Sequence, residues 1–584
     1  MLVGTVLLEF TGNLCHNAHA MGDITKFSEE NRKGLAQRLK TQEFDLVIIG
    51  GGITGASILR DAAYRGLKAA LVEMGDFASG TSSKSSKLIH GGLRYLETLD
   101  FGLVFESVNE RTRLLKLARH IVKPLSFVFP VYKDDKNGLF KLKAGLWLYD
   151  MLCAFRNRNH KGLSKIGVAQ WVPGIRRQDL RGGVQYYDAI TDDARLNVEV
   201  ILDAYKHNGV PLNYVQAGRI QTDNGNVVGL SVKDLLSQEE FEVKTRFVVF
   251  AAGPWTSKVM ELAGVPDSLA SKVKMRPTKG THIVIPYERL PLDNAVVMLH
   301  PDDHRVMFAL PWHNRTVLGT TDTDYKGDPT DVVTTVQDVD YLLTAANHYF
   351  PDAGLKHEDI VSNWSGLRPL VDQDDAKKES EVSREHTIAV DPTGIGAIAG
   401  GKLTTFRIMG KQMVDAIIPY LGKDDIPGSK LKNTPLPYAN GTPEPEKLIE
   451  MAATTARDYG IQQDQAIHLL SVYGGVVDKV LDLAKDDKLL LQPVVKGLPI
   501  LMVEALFSVK YEMAIRLEDF FLRRTPLFFL VQKDLDLAFE RVAAVMGKSL
   551  GWTDENTVAE IKNMEKLSAL HNQWLRGNNP DRVP

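Results

Sequence analysis

The sequence FDLVIIGGGITG, residues 44–55, decides the fold of the chain around it. Its first half is an apolar, largely β-branched run of strand length. Gly50, Gly52 and Gly55 follow, and residues 56–65 are small and compatible with a helix that Gly66 would end. Residues 67–72 form a second strand-like run. The stretch therefore predicts a β-α-β unit of about 30 residues.

The spacing of these glycines is typical of a dinucleotide-binding loop. Gly50 permits a tight turn, Gly52 lets the backbone approach a pyrophosphate, and Gly55 allows close packing of helix on strand. Glu73 ends the second strand, where a carboxylate can accept hydrogen bonds from an adenosine ribose. An acidic residue here disfavours a 2′-phosphate. The pattern thus favours FAD or NAD over NADP and does not choose between the first two.

The composition of the chain excludes several classes of protein. The 584 residues are 44% hydrophobic and 24% charged, with a net charge of -3, which is ordinary for a globular protein and unlike a general nucleic-acid binder. Two cysteines exclude a disulfide framework and a cysteine-rich metal site, and they fit a reducing compartment. No apolar run is long enough to span a membrane. The first ten residues lack a basic leading segment, so we expect no secretory signal.

The pattern along the chain predicts four regions. We expect an N-terminal arm over 1–43, a nucleotide-binding domain interleaved with a substrate domain over 44–425, a proline-rich linker over 426–445 and a helical domain over 446–584. Strand-like runs at 281–285, 295–299, 306–310 and 316–319 indicate an antiparallel sheet, with the substrate part mainly at 120–190 and 270–390. Asn224-Gly225 predicts a hairpin turn. Predicted C-terminal helices cover 448–459, 465–473, 498–516 and 535–546.

Beyond the β-α-β unit, a series of motifs resembles one family of enzymes in their order along the chain. They are SSKLIHGGLRYLE (85–97), DDARL (192–196), AGPW (252–255), KGTHIV (279–284), GTTD (319–322), YKGD (325–328), SGLRPL (365–370) and GGKLTTFR (400–407). Together they resemble the FAD-dependent glycerol-3-phosphate dehydrogenases. The resemblance covers about 44–410 well, and it extends into the helical domain only through Arg523-Arg524-Thr525.

The resemblance implies an α/β fold with an added α domain. It comprises a doubly wound, Rossmann-like FAD-binding domain of the glutathione-reductase type, an inserted antiparallel-sheet substrate domain and a C-terminal helical domain. It also implies oxidation of sn-glycerol 3-phosphate to dihydroxyacetone phosphate, with hydride transfer from C2 to flavin N5. The implied FAD-binding residues are Gly50, Gly52, Gly55, Glu73, Thr81, Ser82, Ser86, Lys87, Leu88, His90, Gly91, Gly92, Val215, Ala252, Gly253, Trp255, Gly401, Lys402, Leu403 and Thr404.

The substrate is a small phosphate dianion, which calls for several cationic donors. The positions that match the family are Arg94, Tyr95, Arg368, Arg384 and Lys402. A base must also take the hydroxyl proton, and histidine is the commonest base near neutral pH. The candidates are His282 first and His90 second, with Arg368 stabilising the developing negative charge. Residues 322–327 resemble a calcium loop superficially, but Lys326 occupies a ligand position, so we expect no metal.

The electron acceptor is left open between a membrane quinone and oxygen. Residues 140–165 place lysines and arginines beside Leu, Trp and Phe, which suits an anionic membrane surface and predicts a peripheral enzyme on the inner face of the cytoplasmic membrane. No insertion typical of the related oxidases is evident between His282 and Arg368, which favours the quinone. The same general fold would also suit an amine or amino-acid oxidase, or a non-enzymatic flavin-binding module. A homodimer is left open, and no nucleic-acid partner is expected.

Overall fold

The computed structural model describes residues 25–92, 101–135, 138–152, 160–372, 386–531 and 535–576. Its strands are β1 (Glu43–Phe44), β2 (Leu46–Ile49), β3 (Ala69–Val72), β4 (Leu88–Ile89), β5 (Val122–Tyr132), β6 (Lys161–Leu163), β7 (Leu180–Thr191), β8 (Val210–Leu212), β9 (Val215–Asp223), β10 (Asn226–Asp234), β11 (Glu240–Thr245), β12 (Val248–Phe250), β13 (Thr278–Pro286), β14 (Ala295–Leu299), β15 (Val306–Trp312), β16 (Arg315–Gly319), β17 (Thr323–Asp324), β18 (Ser362–Arg368), β19 (His386–Asp391) and β20 (Ile395–Gly400).

The helices follow the same chain order. They are α1 (Glu29–Thr41), α2 (Ile53–Tyr64), α3 (Phe101–Leu117), α4 (Leu139–Leu152), α5 (Lys165–Trp171), α6 (Asp193–Lys206), α7 (Thr256–Ala263), α8 (Asp267–Ala270), α9 (Val336–Tyr349), α10 (Phe406–Ile417), α11 (Leu448–Tyr459), α12 (Gln463–Tyr473), α13 (Val477–Asp482), α14 (Met502–Tyr511), α15 (Leu517–Asp519), α16 (Leu527–Leu530), α17 (Leu535–Leu550) and α18 (Asp554–His571).

The predicted β-α-β unit begins a six-stranded sheet with the order β19-β20-β12-β2-β3-β8. All neighbouring strands are parallel except β19, which runs antiparallel to β20. Every residue of β2 and β3 is buried, as expected for strands of a parallel sheet that is covered on both faces, which are continuously apolar. Helix α2 packs against both α6 and α10. The β-α-β unit predicted from the glycine loop and the doubly wound architecture implied by the resemblance are confirmed.

The predicted antiparallel sheet is confirmed and larger than expected. It runs β17-β13-β16-β15-β14-β5-β7-β4, with β18 paired to β13 and β6 paired to β7. One parallel pairing, Ala295 opposite Phe127, joins the early strands β5 and β7 to the later ones. A separate small sheet, β1-β11-β10-β9, contains the predicted hairpin, where Asn224 and Gly225 both have positive φ, at 49° and 82°. These are the dihedrals that a two-residue hairpin turn requires.

The C-terminal region is helical, as predicted, but α14 is shorter than expected, and α13, α15, α16 and α18 were not predicted. The helix expected over 498–516 is confined to α14, Met502–Tyr511, because the chain leaves helical geometry at Met513, where φ is 52°. Helix α18 was not predicted. Only Met564 among its residues is fully buried, so its sequence carries no continuous apolar stripe.

Residues 25–43 of the expected arm and the expected linker pack against the domains, while residues 1–24 lie outside the described residues. In the arm, the buried guanidinium of Arg32 donates to Asp234 over 2.9 Å, and Phe27 is buried. In the linker, Leu431, Leu436 and Tyr438 are buried. One hydrophobic core runs from the parallel sheet into the C-terminal helices. Across the described ranges, no helix is both long and apolar enough to cross a membrane.

Candidate active site

The glycine loop forms a tight approach between β2 and α2. Gly50 has a φ of 113°, and a Cβ there would lie 2.5 Å from the carbonyl oxygen of Ala251. A Cβ on Gly55 would lie 1.9 Å from the carbonyl oxygen of Gly50, so this glycine serves packing. Helix α2 begins after Gly52, which exposes its N-terminal amides to the loop. Such a helix end attracts a pyrophosphate.

Glu73 holds the turn that follows β3. One carboxylate oxygen accepts from the backbone amide of Gly51 over 2.6 Å, and the other accepts from that of Gly75 over 2.8 Å. Burial raises the pKa of Glu73, and the hydrogen bonds from the two backbone amides oppose that shift. Each carboxylate oxygen can accept a second hydrogen bond. The side chain is therefore able to receive a ribose hydroxyl while it stays fixed in place.

A cavity of about 760 Å³ extends from this turn to the substrate sheet. Its volume lies in the range of cofactor sites. Its walls combine backbone glycines, small hydroxyl side chains and a few charged groups. The expected FAD-binding residues that line it are Gly50, Gly52, Glu73, Thr81, Ser82, Ser86, Leu88, His90, Val215, Ala252, Gly253, Trp255, Gly401, Lys402, Leu403 and Thr404. A Cβ on Gly80 would lie 3.0 Å from the Trp255 ring, so a larger residue there would press on that ring.

Four expected cofactor residues do not line the cavity. Lys87 departs most clearly from the expectation, because its buried ammonium lies 2.7 Å from Asp193 Oδ1. Its backbone is left-handed, with a φ of 58°, which no local pattern in the sequence indicates. Gly55, Gly91 and Gly92 are also absent from the lining. A Cβ on Gly91 would collide with the Tyr149 hydroxyl, so this glycine packs against α4.

Two loops meet at the end of the cavity where a flat ring would lie. Gly400 and Gly401 both have positive φ, at 79° and 86°, which lets the chain turn sharply after β20. Thr404 Oγ1 accepts from the His90 amide over 3.2 Å and donates to the His90 carbonyl over 3.3 Å. The expected catalytic histidine His90 is thus attached to the segment that carries Lys402.

The pairing of β13 with β18 places the remaining catalytic candidates on one face. His282 is opposite Trp364, Gly280 is opposite Gly366, and Thr278 is opposite Arg368. Since side chains alternate along a strand, these three pairs share a face. A Cβ on Gly280 would lie 2.6 Å from Arg368 Nη2. The missing side chain at Gly280 therefore makes room for the guanidinium beside His282.

His282 is buried and its ring is stacked on Trp364, with centroids 5.0 Å apart and an angle of 18° between planes. Its Nε2 lies 2.8 Å from Ser86 Oγ. Burial, with Arg368 and Lys87 nearby, holds the pKa of His282 well below its ordinary value. The imidazole is therefore neutral near pH 7 and, in the protein without substrate, a weaker base than a solvent-exposed histidine.

Arg368 is fixed by acceptors from the loop after β16. Its Nη1 donates to Asp322 Oδ1 over 3.0 Å, and its Nη2 donates to Thr320 Oγ1 and the Thr321 carbonyl over 3.0 and 2.9 Å. Asp322 is buried. The sequence left Asp322 unassigned, although a carboxylate directly after a strand in a substrate-binding motif is a usable signal. Trp364 was missed because no strand was predicted at 362–368.

Lys84 is a further cavity residue that sequence reasoning missed. Burial, reinforced by the positive charge of Arg523, lowers the pKa of its ammonium. Of the expected substrate-binding residues, Arg368 and Lys402 line the same cavity as His282 and His90. Arg94, Tyr95 and Arg384 lie outside the described residues.

Comparison with known proteins gives consistent matches over nearly the whole chain. The family described as FAD dependent oxidoreductase matches residues 45–411, and the C-terminal domain of alpha-glycerophosphate oxidase matches residues 431–557. An aerobic glycerol-3-phosphate dehydrogenase of Staphylococcus haemolyticus is 37% identical over 94% of this chain and 98% of its own. One from Staphylococcus aureus is 36% identical over the same shares.

A solved structure agrees with these sequence matches. The glycerol-3-phosphate dehydrogenase from Bacillus halodurans, complexed with FAD, superposes with a TM-score of 0.77 at 31% identity. The match covers 94% of this chain and 99% of the other. The second matched region begins at residue 431, inside the segment that the sequence predicts as a linker.

Proposed function

The chain belongs to the FAD-dependent oxidoreductase family and, within it, to the glycerol-3-phosphate dehydrogenases, and from that membership we propose that it oxidises sn-glycerol 3-phosphate to dihydroxyacetone phosphate. FAD is its cofactor. The observation that carries the proposal is the arrangement of His282, Arg368 and Lys402 around the cavity that begins at the nucleotide loop. A neutral base and two cations are what a phosphorylated alcohol needs.

Each of these side chains has a distinct role in the proposed reaction. Lys402 and Arg368 attract the dianion, and the guanidinium of Arg368 also stabilises negative charge on the substrate oxygen as its proton leaves. His282 takes that proton: burial keeps its imidazole in the neutral form that a base requires, and the phosphate dianion of the substrate offsets the positive charges of Arg368 and Lys87 that lower its pKa. Ser86, bonded to His282 Nε2, orients the ring. The chemistry that FAD supplies when bound is acceptance of the C2 hydride at N5.

We propose a membrane quinone as the final acceptor, on the evidence of two helices. Helix α4 exposes 87% of Phe140 and 57% of Trp147, and α3 exposes Phe101 and Phe105. Large apolar side chains on the surface mark an interaction site when they cluster beside basic residues. Lys143, Lys161 and Lys165 are exposed in the same part of the chain. This surface would seat the enzyme on the inner face of the cytoplasmic membrane.

The same two helices pack against segments next to the cavity. The Tyr149 hydroxyl of α4 donates to Asp188 Oδ1 over 2.8 Å, and the Gly91 amide donates to the same oxygen over 3.2 Å. Helix α3 packs against the turn Leu403–Thr405. A quinone held at the exposed aromatic surface would therefore lie on elements that border the flavin end of the cavity.

The test is anaerobic reduction of the purified yellow protein by glycerol 3-phosphate. The flavin absorbance is followed, and then either oxygen or a water-soluble quinone analogue is added. We expect bleaching that the quinone reverses quickly and oxygen reverses slowly. Rapid reversal by oxygen with release of hydrogen peroxide would instead establish an oxidase. Persistence of the yellow colour with glycerol 3-phosphate would overturn the substrate assignment and direct attention to amines and amino acids.

A further inference from the structure

The turn that carries Glu73 has a second, buried side. Three residues after Glu73, Asp76 is fully buried and points away from the cavity lining. Its backbone carbonyl accepts from the Ser79 amide over 3.1 Å, which closes the turn. A carboxylate taken out of water needs several donors to remain charged. The donors come from the C-terminal domain.

Two consecutive arginines of that domain converge on Asp76. Arg524 binds both carboxylate oxygens, over 2.6 and 3.0 Å, and Arg523 Nε donates to one of them over 2.7 Å. Asn213 Nδ2 adds a contact of 3.2 Å. Arg523 and Arg524 are themselves buried. Two-oxygen binding by a guanidinium fixes the direction of the carboxylate as well as its charge.

A second path joins the same turn to the same domain. Arg523 Nη2 donates to Asp519 Oδ1 over 2.7 Å, and the Tyr214 hydroxyl donates to that oxygen over 2.5 Å. The Tyr214 amide in turn donates to the Gly75 carbonyl over 2.9 Å, and the Val215 amide donates to the Glu73 carbonyl over 2.7 Å. The turn that carries Glu73 is thus connected to the C-terminal domain in two ways. Asp76 binds Arg523 and Arg524. Tyr214, whose amide donates to the turn, binds Asp519 through its hydroxyl.

We propose that the C-terminal helical domain clamps the adenosine half of FAD, with Arg523 and Arg524 as positioning residues that fix Glu73 through Asp76. The inference rests on the placement of the adenosine ribose at Glu73. Arg523-Arg524-Thr525 is the part of the helical domain to which the family resemblance extends, and both of its arginines bind Asp76 of the nucleotide domain. The clamp gives the C-terminal domain a role in holding the cofactor without contact to the substrate.

The experiment measures binding of two flavins to flavin-free protein. FAD and FMN share the ring and differ in the adenosine half, so their affinities report separately on the two ends of the cavity. Both are titrated into the parent and into Arg524→Gln, and quenching of flavin fluorescence is followed. We expect FAD affinity to fall by about tenfold or more, while FMN affinity stays within about twofold of the parent. Loss of both affinities to the same degree would overturn the clamp, as would retention of both in a folded variant.

Two further variants separate the possible causes. His468→Gln alters a buried hydrogen bond with Glu504 inside the C-terminal domain, where His468 Nε2 and Glu504 Oε2 are 3.0 Å apart, and should leave the ratio of FAD to FMN affinity unchanged. Glu73→Gln tests the ribose placement itself. A normal ratio in Glu73→Gln would refute that placement, whereas a lowered ratio there with a normal ratio in Arg524→Gln would refute the clamp alone. If Arg524→Gln fails to fold, Arg524→Lys is used, which keeps the charge but not the two-oxygen geometry.

Discussion

Arg368 combines a cationic charge with a fixed direction, because three acceptors hold its guanidinium beside His282. We expect Arg368→Ala to retain bound FAD and to lose about 100- to 1,000-fold in kcat/KM for glycerol 3-phosphate. The kcat/KM of Arg368→Lys should lie between those of the parent and Arg368→Ala, since lysine keeps the charge and loses the planar guanidinium. Steady-state kinetics and the flavin spectrum measure both effects. Near-normal turnover with an unchanged KM would remove Arg368 from the mechanism.

Asp322 is expected to act through Arg368. Asp322→Asn keeps the shape of the side chain and removes the ion pair, so the guanidinium is less well oriented but its charge is less neutralised. We therefore expect kcat to fall by about tenfold while KM stays the same or decreases. The pairing is tested in the Arg368→Ala background, where Asp322→Asn should add almost nothing. Additive losses in the double variant would show that Asp322 acts independently.

For individual residues, the sequence predicts roles that depend on neighbouring positions in the chain and does not predict contacts between residues that are far apart in the chain. Gly50, Gly52 and Glu73 belong to one continuous stretch, and the structure brings all three to the cavity. Lys87 lies in an equally suggestive motif, yet its ammonium pairs with Asp193, which is far along the chain. Trp364 stacks on His282 only because β13 and β18 are paired in a particular register. No pattern in the sequence reveals that register.

Among the elements, strands bounded by clear turns were predicted best. The β9–β10 hairpin follows from the turn chemistry of Asn224-Gly225, and β14 coincides with its predicted bounds as a short, continuously apolar run. Helix α14 was predicted too long, since the residues after Tyr511 are as apolar as the helix itself and their geometry is set by buried polar contacts of Glu512 and Asp519. Burial alone does not distinguish a helix from a buried loop.

Helix α18 ends at His571, whose ring meets those of Phe528 and Phe529 at centroid distances of 4.9 and 6.1 Å. Burial lowers the pKa of His571 to about 4. The unfolded chain takes up a proton near pH 6.5 and the folded chain does not, so stability is lost as pH falls through that value. At pH 5 the loss from this residue is up to about 2 kcal/mol.

The replacement His571→Phe should remove this part of the acid sensitivity, because a phenyl ring fits the same aromatic contacts and carries no titratable group. We expect the fall in the apparent thermal midpoint between pH 7.5 and pH 5 to be smaller in the variant than in the parent. The comparison of midpoints at the two pH values is the measurement. An unchanged difference would mean that His571 takes up its proton in the folded protein as well.

The whole molecule is more continuous than its sequence suggests. Proline spacing and composition divide the chain at 426–445, yet Tyr438 of that segment is buried beside Arg195 of the nucleotide domain, with the guanidinium 5.8 Å from the ring centroid. Arg195 in turn binds Glu512 over 2.7 Å. Since a shared core and buried ion pairs cross the boundary, we regard the C-terminal domain as part of the cofactor-binding unit rather than as an appended module.

The exposed aromatic surface is the property of the whole molecule that most directly tests the proposed acceptor. Phe140→Ser combined with Trp147→Ser removes two exposed aromatic side chains of α4 without touching the cavity. We expect the parent to co-sediment with vesicles that contain phosphatidylglycerol. The affinity of the double variant for these vesicles should be lower by about fivefold or more, because insertion of apolar side chains supplies most of the affinity.

The matched control for this surface is Leu489→Ser with Leu537→Ser, which removes two exposed leucines of the C-terminal domain, 75% and 58% exposed. This control should bind vesicles as the parent does. Binding of the parent should weaken as salt is added, because salt screens the exposed lysines near α4, Lys143, Lys161 and Lys165. Both double variants should reduce a water-soluble quinone analogue at the parent rate, since neither alters the cavity. Only the α4 variant should then lose turnover with a quinone embedded in the vesicles. Equal binding by the two double variants would place the membrane contact elsewhere on the molecule, and absence of parent binding would refute the peripheral location.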